Sequence, residues 1–521
     1  MSRRMDADIV RAAWRSGAEI ALFDLREEGP YSLSHPFFAV SLPLAQIELR
    51  IRDLVPRLSA PIVVYDDGEG LTARGVERIK ALGYSDVAIL DGGLSAYART
   101  GEVFRDVNVP SKAFGELVEA IRHTPSLPAE EIAELIATNP DVVVLDARRF
   151  EEYHTMSIPR GVSVPGGELA LRVHDLAPSA KTTIVVNCAG RTRSIIGAQT
   201  LVNAGVENRV VALRNGTIGW TLAGLPLETG QTGRFGAVST EALALARERA
   251  ELWAEKVGVA VIDADTLARY RREAGERTLY LLDVRTPQEF AEGHPAGFVS
   301  APGGQLVQAT DEWVAVRGGR LVLFDDDGVR ARMAASWLVQ MGWDASVVAE
   351  DVLVADETGP PAPASVPAPD VPSLGPAQLA ALGDDAVIVD LGPSPLYRRN
   401  HIPGAWFIAG TALADLDALP AGPIVLTSQD GRLAAVHAQD VVRSTSRPVY
   451  WLSGGNAAWQ ASGRPLTTEA PRFVREPDDV YKRPYEGTDN PREPMQRYIE
   501  WELQLVAQLA NDGISRFHVV R

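Results

Sequence analysis

The stretch Thr183-Ile184-Val185-Val186-Asn187-Cys188-Ala189-Gly190-Arg191-Thr192-Arg193-Ser194 decides the fold of this 521-residue chain. Its first five residues form a mostly β-branched run of strand character. A short loop with one glycine and two arginines follows, and a helical stretch runs from Ile195 to Ala204. Cys188, the only cysteine in the chain, stands where strand turns to loop. The N–H groups of a tight loop and the positive end of the next helix make an anion cradle at such a place. A cysteine used only for packing belongs inside the run, beside Val185 and Val186, so its position favours a nucleophile. A thiol with an ordinary pKa of about 8.5 is only a few per cent thiolate at neutral pH. Loop amides, helix terminus and the charges of Arg191 and Arg193 all favour the anion. The expectation is a depressed pKa in a solvent-facing loop.

The same strand and loop recur four times: PIVVYDDGEG from Pro61, TIVVNCAGRT from Thr183, RLVLFDDDGV from Arg320 and PIVLTSQDGR from Pro423. Aligned on the apolar run, the position of Cys188 holds Asp66, Asp325 and Ser428 in the other copies. Upstream of each lies a strand ending in aspartate. Asp24, Asp146 and Asp283 are followed two residues on by Arg26, Arg148 and Arg285, whereas Asp390 has no such arginine. Eleven residues after those aspartates come His35, Ser157, His294 and His401, each with a proline one or two residues on. Downstream, LDGGLSAY, LRNGTIGW and LSGGNAAW end in Tyr97, Trp220 and Trp459, and the third copy lacks this motif. Strand, Pro-rich connection, helix, strand, tight loop, helix, strand and Gly-turn alternate in each copy. That pattern predicts α/β architecture: four tandem domains, each a small parallel sheet with helices on both faces. The boundaries read as 1–108, 125–230, 258–356 and 374–468, with a Pro/Ala-rich spacer at 357–373. The pattern TEALALARERAELWAEKVG predicts a helix that bridges the two halves. A C-terminal tail, 469–521, carries an amphipathic helix in which Tyr498, Trp501, Leu505 and Leu509 share a face suited to docking.

Composition narrows the function classes. A formal charge of −17 disfavours nucleic acid as a partner, because phosphate contacts need clustered Lys and Arg. A single cysteine excludes an internal disulfide framework and fits a reducing compartment. The N-terminus has charges but no apolar h-region, and no run approaches a membrane span, so the cytoplasm is the expected location and no membrane partner is expected. Neither a metal nor a cofactor is expected.

On these residues the chain resembles a tandem array of four rhodanese (sulfurtransferase) domains. Asp146-Ala147-Arg148, Ile158-Pro159-Arg160-Gly161, the loop Cys188 to Arg193 and the motif ending in Trp220 look like one complete domain. The resemblance implies a transferase in which Cys188 accepts sulfane sulfur from a donor such as thiosulfate and becomes a persulfide. It then hands the sulfur to cyanide or a thiol. Ala189, Gly190, Arg191, Thr192, Arg193 and Ser194 would bind the small anionic donor, with Arg191 and Arg193 on its sulfonate end. Related phosphatases carry a longer loop with arginine six positions after the cysteine; Ser194 stands there, which demotes phosphoryl chemistry. Asp146 and Arg148 read as structural, since three copies keep the pair while one keeps the cysteine, and Trp220 likewise supports the site. His154 reads as a surface residue. Two-domain, thiosulfate-specific members carry a further arginine after the Asp-x-Arg motif, where this chain has Glu151 and Glu152.

Asp66 and Asp325 form no stable persulfide, and Ser428 has no base nearby in sequence, so copies one, three and four read as inactive. The alternative function is a sulfur-relay or docking protein whose inactive domains hold partners. A protein sulfur acceptor and a homodimer are both allowed by the sequence.

Overall fold

Runs of Val, Ile and Leu without polar alternation form strands that must be covered on both sides. The computed structural model, which describes residues 3–349, 352–361, 366 and 369–521, builds one parallel sheet from each repeat. Within the expected spacer at 357–373, residues 362–365, 367 and 368 lie outside the described residues. Numbered within its own repeat, every sheet has the strand order 1-5-4-2-3, and the fourth repeat adds a sixth strand at the edge. Connections leave strand 4 and strand 2 in opposite directions, so the crevice between their carboxyl ends is a topological switch point, where open α/β sheets place their ligand sites.

The register accounts for the repeated markers. Asp146 pairs with Asn187, Asp24 with Tyr65, Asp283 with Phe324 and Asp390 with Thr427. The aspartate that ends strand 2 therefore lies opposite the residue just before Cys188, Asp66, Asp325 or Ser428.

The chain divides into two compact units, one of residues 1–7, 21–107 and 362–481, the other of 8–20, 108–361 and 482–521. The first unit holds the sheets of repeats one and four. They meet where Thr411 donates through Oγ1 (2.6 Å) and its backbone N–H (3.1 Å) to the buried Glu27 carboxylate.

The second unit holds repeats two and three and residues 482–521 of the tail. Its strands are named here for the second repeat: β1 (Ser126–Leu127), β2 (Val142–Asp146), β3 (Gly161–Ser163), β4 (Thr183–Asn187) and β5 (Val210–Leu213), ordered β3-β2-β4-β5-β1. The helices that position the site are α1 (Val109–Arg122), α2 (Leu169–Leu176), α3 (Thr192–Asn203), α4 (Gly216–Leu222), α5 (Thr240–Val257), α6 (Arg330–Gln340), α7 (Arg492–Glu502) and α8 (Leu505–Asp512). Ile184 and Val186 of β4 face a core shared with Leu169, Val173, Ala198 and Leu201, while Val185 faces the opposite core with Ile132 and Trp220. Each of the Val, Leu and Ile side chains among them contributes about 1.5–3 kcal/mol by leaving water.

Helix α5 spans repeats two and three inside this unit, packing on α2 and α6. Ser239 caps its start by accepting from the Ala242 N–H, Gly258 ends it at φ +83°, and Trp253 Nε1 donates to Ser336 Oγ at 3.1 Å. The expected tail helix is two helices, since the chain turns between Glu502 and Leu505. Tyr498, Trp501, Leu505 and Leu509 are all buried nonetheless, and both helices rest on α1. Asp512 at the end of α8 pairs with buried Arg11 at 2.5 Å.

Repeats two and three also meet backbone to backbone. A Cβ on Gly167 would lie 2.7 Å from the Gly304 nitrogen, and one on Gly304 would lie 2.5 Å from the Gly167 nitrogen. Around this contact Arg149 Nε donates to Gln305 Oε1 (2.8 Å) and Arg330 Nη1 to Glu168 Oε1 (2.9 Å). No helix among the described residues is long and apolar enough to cross a membrane. Because both neighbours of Gly304 are main chain, they cannot rotate away. Gly304→Ala should lower the midpoint of urea unfolding by an amount equivalent to about 1–3 kcal/mol. Gly236→Ala, where a Cβ meets nothing within 4 Å, should stay within about 0.5 kcal/mol of the parent.

Candidate functional site

The loop that leaves β4 is held by its backbone. Asn215 and Gly216 adopt left-handed conformations, φ +62° and +54°, at the start of α4. This lets the chain approach so closely that a Cβ on Gly216 would lie 2.3 Å from the Cys188 carbonyl oxygen and 2.7 Å from that of Gly190. The Thr217 and Ile218 N–H groups donate to the Cys188 and Ala189 carbonyls at 2.8 and 3.0 Å. The Gly-turn marker ending in Trp220 is thus a clamp on the loop. The same clamp recurs where Leu94 N–H reaches Asp66 O (3.1 Å) and Asn456 N–H reaches Ser428 O (2.9 Å). Trp220 itself is buried, and its Nε1 donates to Pro226 O at 2.8 Å.

Beneath the loop, Asp146 accepts from Arg148 Nε (2.8 Å), Arg148 Nη2 (2.7 Å), the Arg148 N–H (3.1 Å) and Asn187 Nδ2 (2.9 Å). Arg148 also donates to Met156 O at 2.6 Å, so the pair ties the end of β2 to the turn after residues 150–155. His154 is exposed, its Nδ1 3.0 Å from Gln231 O.

Three expectations need correction. First, the loop does not face solvent: Ala189, Gly190, Arg191, Thr192, Arg193 and Ser194 are buried, and Cys188 is 1% exposed. Helix α1 presses on one side, where a Cβ on Gly115 would lie 2.9 Å from Thr192 Cγ2. Helix α7 covers the other, where a Cβ on Gly190 would lie 3.1 Å from Tyr498 Cε1 and 3.4 Å from Glu502 Oε2. Second, the Cys188 pKa is raised, not depressed. Burial pushes the thiol up, and the Arg193 charge and hydrogen bonds with Ser194 only partly offset this. The thiol donates to Ser194 Oγ at 3.3 Å, and that hydroxyl donates to Arg191 O at 2.9 Å.

Third, both arginines already hold carboxylates. Arg191 donates to Glu116 through Nε (2.7 Å) and Nη2 (2.8 Å), to Asn215 Oδ1 (3.0 Å), and to Glu119. Arg193 forms a two-pronged pair with Glu152 at 2.7 and 2.8 Å. Burial works against the Glu152 charge, but Arg193 outweighs it and holds that carboxyl at about 2. The cradle therefore lacks the surplus positive charge that two unpaired arginines would supply.

Sequence reasoning missed Lys112, Glu116, Glu119, Tyr485 and Glu502. Lys112 is 2% exposed, with its Nζ 5.8, 5.2 and 5.5 Å from the ring centres of Tyr485, Tyr498 and Trp501. The apolar face of the tail was legible, but not that Cys188 lay under it. Gly190, which α7 approaches too closely for a side chain, was the local signal.

The other three loops fill themselves. Asp66 accepts from the N–H groups of Gly68 (3.2 Å), Leu71 (2.6 Å) and Thr72 (3.2 Å). Asp325 accepts from Gly328 (3.1 Å) and Ala331 (2.8 Å), while Asp327 takes Val329 (2.7 Å) and Arg330 (3.0 Å). Ser428 Oγ accepts from Ala434 at 3.4 Å. In the aspartate copies a side-chain carboxyl group occupies the amides that a bound anion would use. No cluster of metal-ligating side chains occurs among the described residues.

These contacts separate the two arginines. The Arg193 charge, although paired with Glu152, still favours the Cys188 thiolate, whereas the Arg191 charge is shared by two glutamates. Arg193→Ala should move the pH profile of Cys188 alkylation by iodoacetamide upward by about one unit, and Arg191→Ala by clearly less. Equal profiles for both variants would contradict this assignment.

A family model for the rhodanese-like domain matches residues 7–100, 128–223, 263–352 and 376–462. A crystal structure of thiosulfate sulfurtransferase from Pseudomonas aeruginosa is 51% identical, covers 100% of both chains and superposes with a TM-score of 0.96. A rhodanese-related protein from Thermoplasma volcanium matches 19% of this chain and 99% of its own, at 16% identity and a TM-score of 0.18. An HTH-type transcriptional regulator of Mycobacterium tuberculosis is 31% identical over 90 residues, so the chain spans 39% of that protein's length.

Proposed function

The chain belongs to the rhodanese-like family in each of its four repeats, and we propose that it is a sulfurtransferase that carries sulfane sulfur as a persulfide on Cys188. The observation that carries this reading is the 51% identity, over the whole of both chains, to a thiosulfate sulfurtransferase. Placement of the sole cysteine at the switch point of its sheet supports it. In this reading the Cys188 thiolate attacks the terminal sulfur of thiosulfate, and the S–S bond breaks with its electron pair leaving on sulfite. Cyanide or a thiol then attacks the outer sulfur of the persulfide and frees the cysteine. Ala189 to Ser194 enclose the transferred sulfur, and the Arg193 charge favours the thiolate. Asp146 and Arg148 hold the floor of the loop, and Trp220 holds the clamp.

Burial of Cys188 favours a second reading, the sulfur relay. A shielded persulfide is protected until its cover opens, and opening then governs access. Fast turnover with thiosulfate and cyanide supports the enzyme acting on small molecules. A persulfide that resists cyanide and passes only to a protein acceptor supports the relay, with the cysteine-free repeats as docking domains.

Cys188→Ala should abolish thiosulfate:cyanide transfer at a stability cost of about 1 kcal/mol for the small cavity left in the loop. Mass spectrometry of parent protein treated with thiosulfate should show one added sulfur, about 32 Da, on the Cys188 peptide and none in the variant. Activity in the variant above a few per cent of the parent would remove the assignment.

The cysteine-free repeats should differ when cysteine is restored in a Cys188→Ala background. In Asp325→Cys the Asp327 carboxylate still occupies the Val329 and Arg330 amides, so that thiol should gain little persulfide. Ser428→Cys has Asp430 turned onto Arg432 at 2.6 Å and should gain more. Equal labelling by thiosulfate would show that loop charge does not silence these repeats.

A further inference from the structure

Glu502 is the residue of the tail whose position calls for a chemical account. It is fully buried at the end of α7, yet it is a carboxyl group. Its Oε1 accepts from the Tyr498 hydroxyl at 2.7 Å. Its Oε2 has no hydrogen-bond partner among the described residues and lies 3.4 Å from the point where a Cβ on Gly190 would stand. A buried, half-satisfied carboxyl is costly to keep for structure alone. This one faces the loop that Cys188 opens.

The groups around it come from every neighbouring element: Lys112 and Glu116 from α1, Cys188 and Arg191 from the loop, Tyr498 from its own helix, and Tyr485 packed edge-on against Tyr498 at 5.3 Å. Glu116 opposes ionisation of Glu502, whereas Lys112 and Arg191 favour it. Burial, helped by Glu116, outweighs them and lifts the carboxyl to about 8. The Glu502 charge in turn pushes the Cys188 thiol up. Glu502 thus stands over the Cys188 loop with one carboxyl oxygen unoccupied, and a charge on either group opposes ionisation of the other.

We propose that Glu502 is the acid–base partner of Cys188, taking the thiol proton before sulfur transfer and returning it to the sulfur that Cys188 then carries. The chemical steps rest on the sulfurtransferase reading. In the donor half-reaction the Cys188 thiol gives its proton to ionised Glu502, and the thiolate bonds to the terminal sulfur of thiosulfate. The donor S–S bond breaks with its pair on sulfite, and the persulfide anion takes the proton back from Glu502. In the acceptor half-reaction ionised Glu502 takes the persulfide proton and cyanide bonds to the outer sulfur. The Cys188–S bond breaks with its pair on Sγ, and Glu502 reprotonates the thiolate. Thiocyanate leaves, and both groups return to their starting state.

Alkylation of the full-length protein by iodoacetamide, read by mass spectrometry on the Cys188 peptide, tests the pairing without any sulfur donor, since Cys188 is the only thiol in the chain. The parent should label along a two-step profile between pH 5 and 10, its upper step above the ionisation of Glu502. Glu502→Gln should label along a single step about one pH unit lower, a gain of about tenfold near pH 9. Tyr498→Phe removes the hydrogen bond to Glu502 but keeps its charge, and should keep two steps even if labelling is faster throughout. A Glu502→Gln profile that overlays the parent overturns the proposal. So does a uniform acceleration at every pH in both variants, because that would make α7 only a cover. If the parent acquires no sulfur from thiosulfate, the sulfurtransferase reading fails, while the alkylation profiles still decide whether Glu502 and Cys188 titrate together.

Discussion

The site depends on a contact between two pieces of main chain. Residues 188–190 would have no defined path out of the sheet without the close approach of Asn215 to Ile218, where the Thr217 and Ile218 N–H groups take up the Cys188 and Ala189 carbonyls. The contact needs a backbone at φ +54° with no Cβ, and Gly216 supplies both. The Ser194 N–H at the head of α3 in turn bonds the Cys188 sulfur, a contact that favours the thiolate. Repeats one, two and four carry this clamp, and repeat three, which lost the Gly-turn motif, holds its loop through the carboxylates of Asp325 and Asp327 instead.

Charge compensation follows from burial. Enclosing the loop under α1 and α7 removes water from Arg191 and Arg193, and unpaired guanidinium groups there would cost several kcal/mol each. Glu116, Glu119 and Glu152 answer that cost. The consequence for the thiol is adverse. With the arginines neutralised, desolvation dominates and the pKa rises. Reactivity then rests on Arg193, on Ser194 and on whatever group can accept a proton inside the enclosure.

Local pattern carried the architecture well. Four apolar runs ending in Asp66, Cys188, Asp325 and Ser428 marked four parallel sheets, because a strand buried on both faces must be apolar throughout and the turn after it must be polar. Asp24, Asp146 and Asp283, eleven residues before His35, Ser157 and His294, were readable as structural since the pair with arginine outlives the cysteine, whereas Asp390, before His401, has no such arginine. In the folded chain three of the histidines stack on aromatic rings, His35 on Tyr31, His294 on Phe290 and His401 on Tyr397. The tail was readable as an apolar face, though its break near Leu503 was not, as nothing in the helical period of Tyr498, Trp501, Leu505 and Leu509 marks it.

Features that depend on neighbours along the chain were legible in the residues alone: the strand and helix periods, the turn chemistry of Asn215 and Gly216, the position of the one cysteine at a strand end, and the fourfold recurrence that identifies the fold. The environment of that cysteine was not legible and belongs to the folded assembly of helices and loop. Exposure, pKa and charge balance are sums over groups far apart in sequence, and Glu116, Glu152 and Glu502 reach the loop from three different helices. A positive loop read alone favours a thiolate, but the same loop under α7, with each arginine already paired, raises the thiol pKa, because desolvation acts on the folded surroundings and not on the local motif.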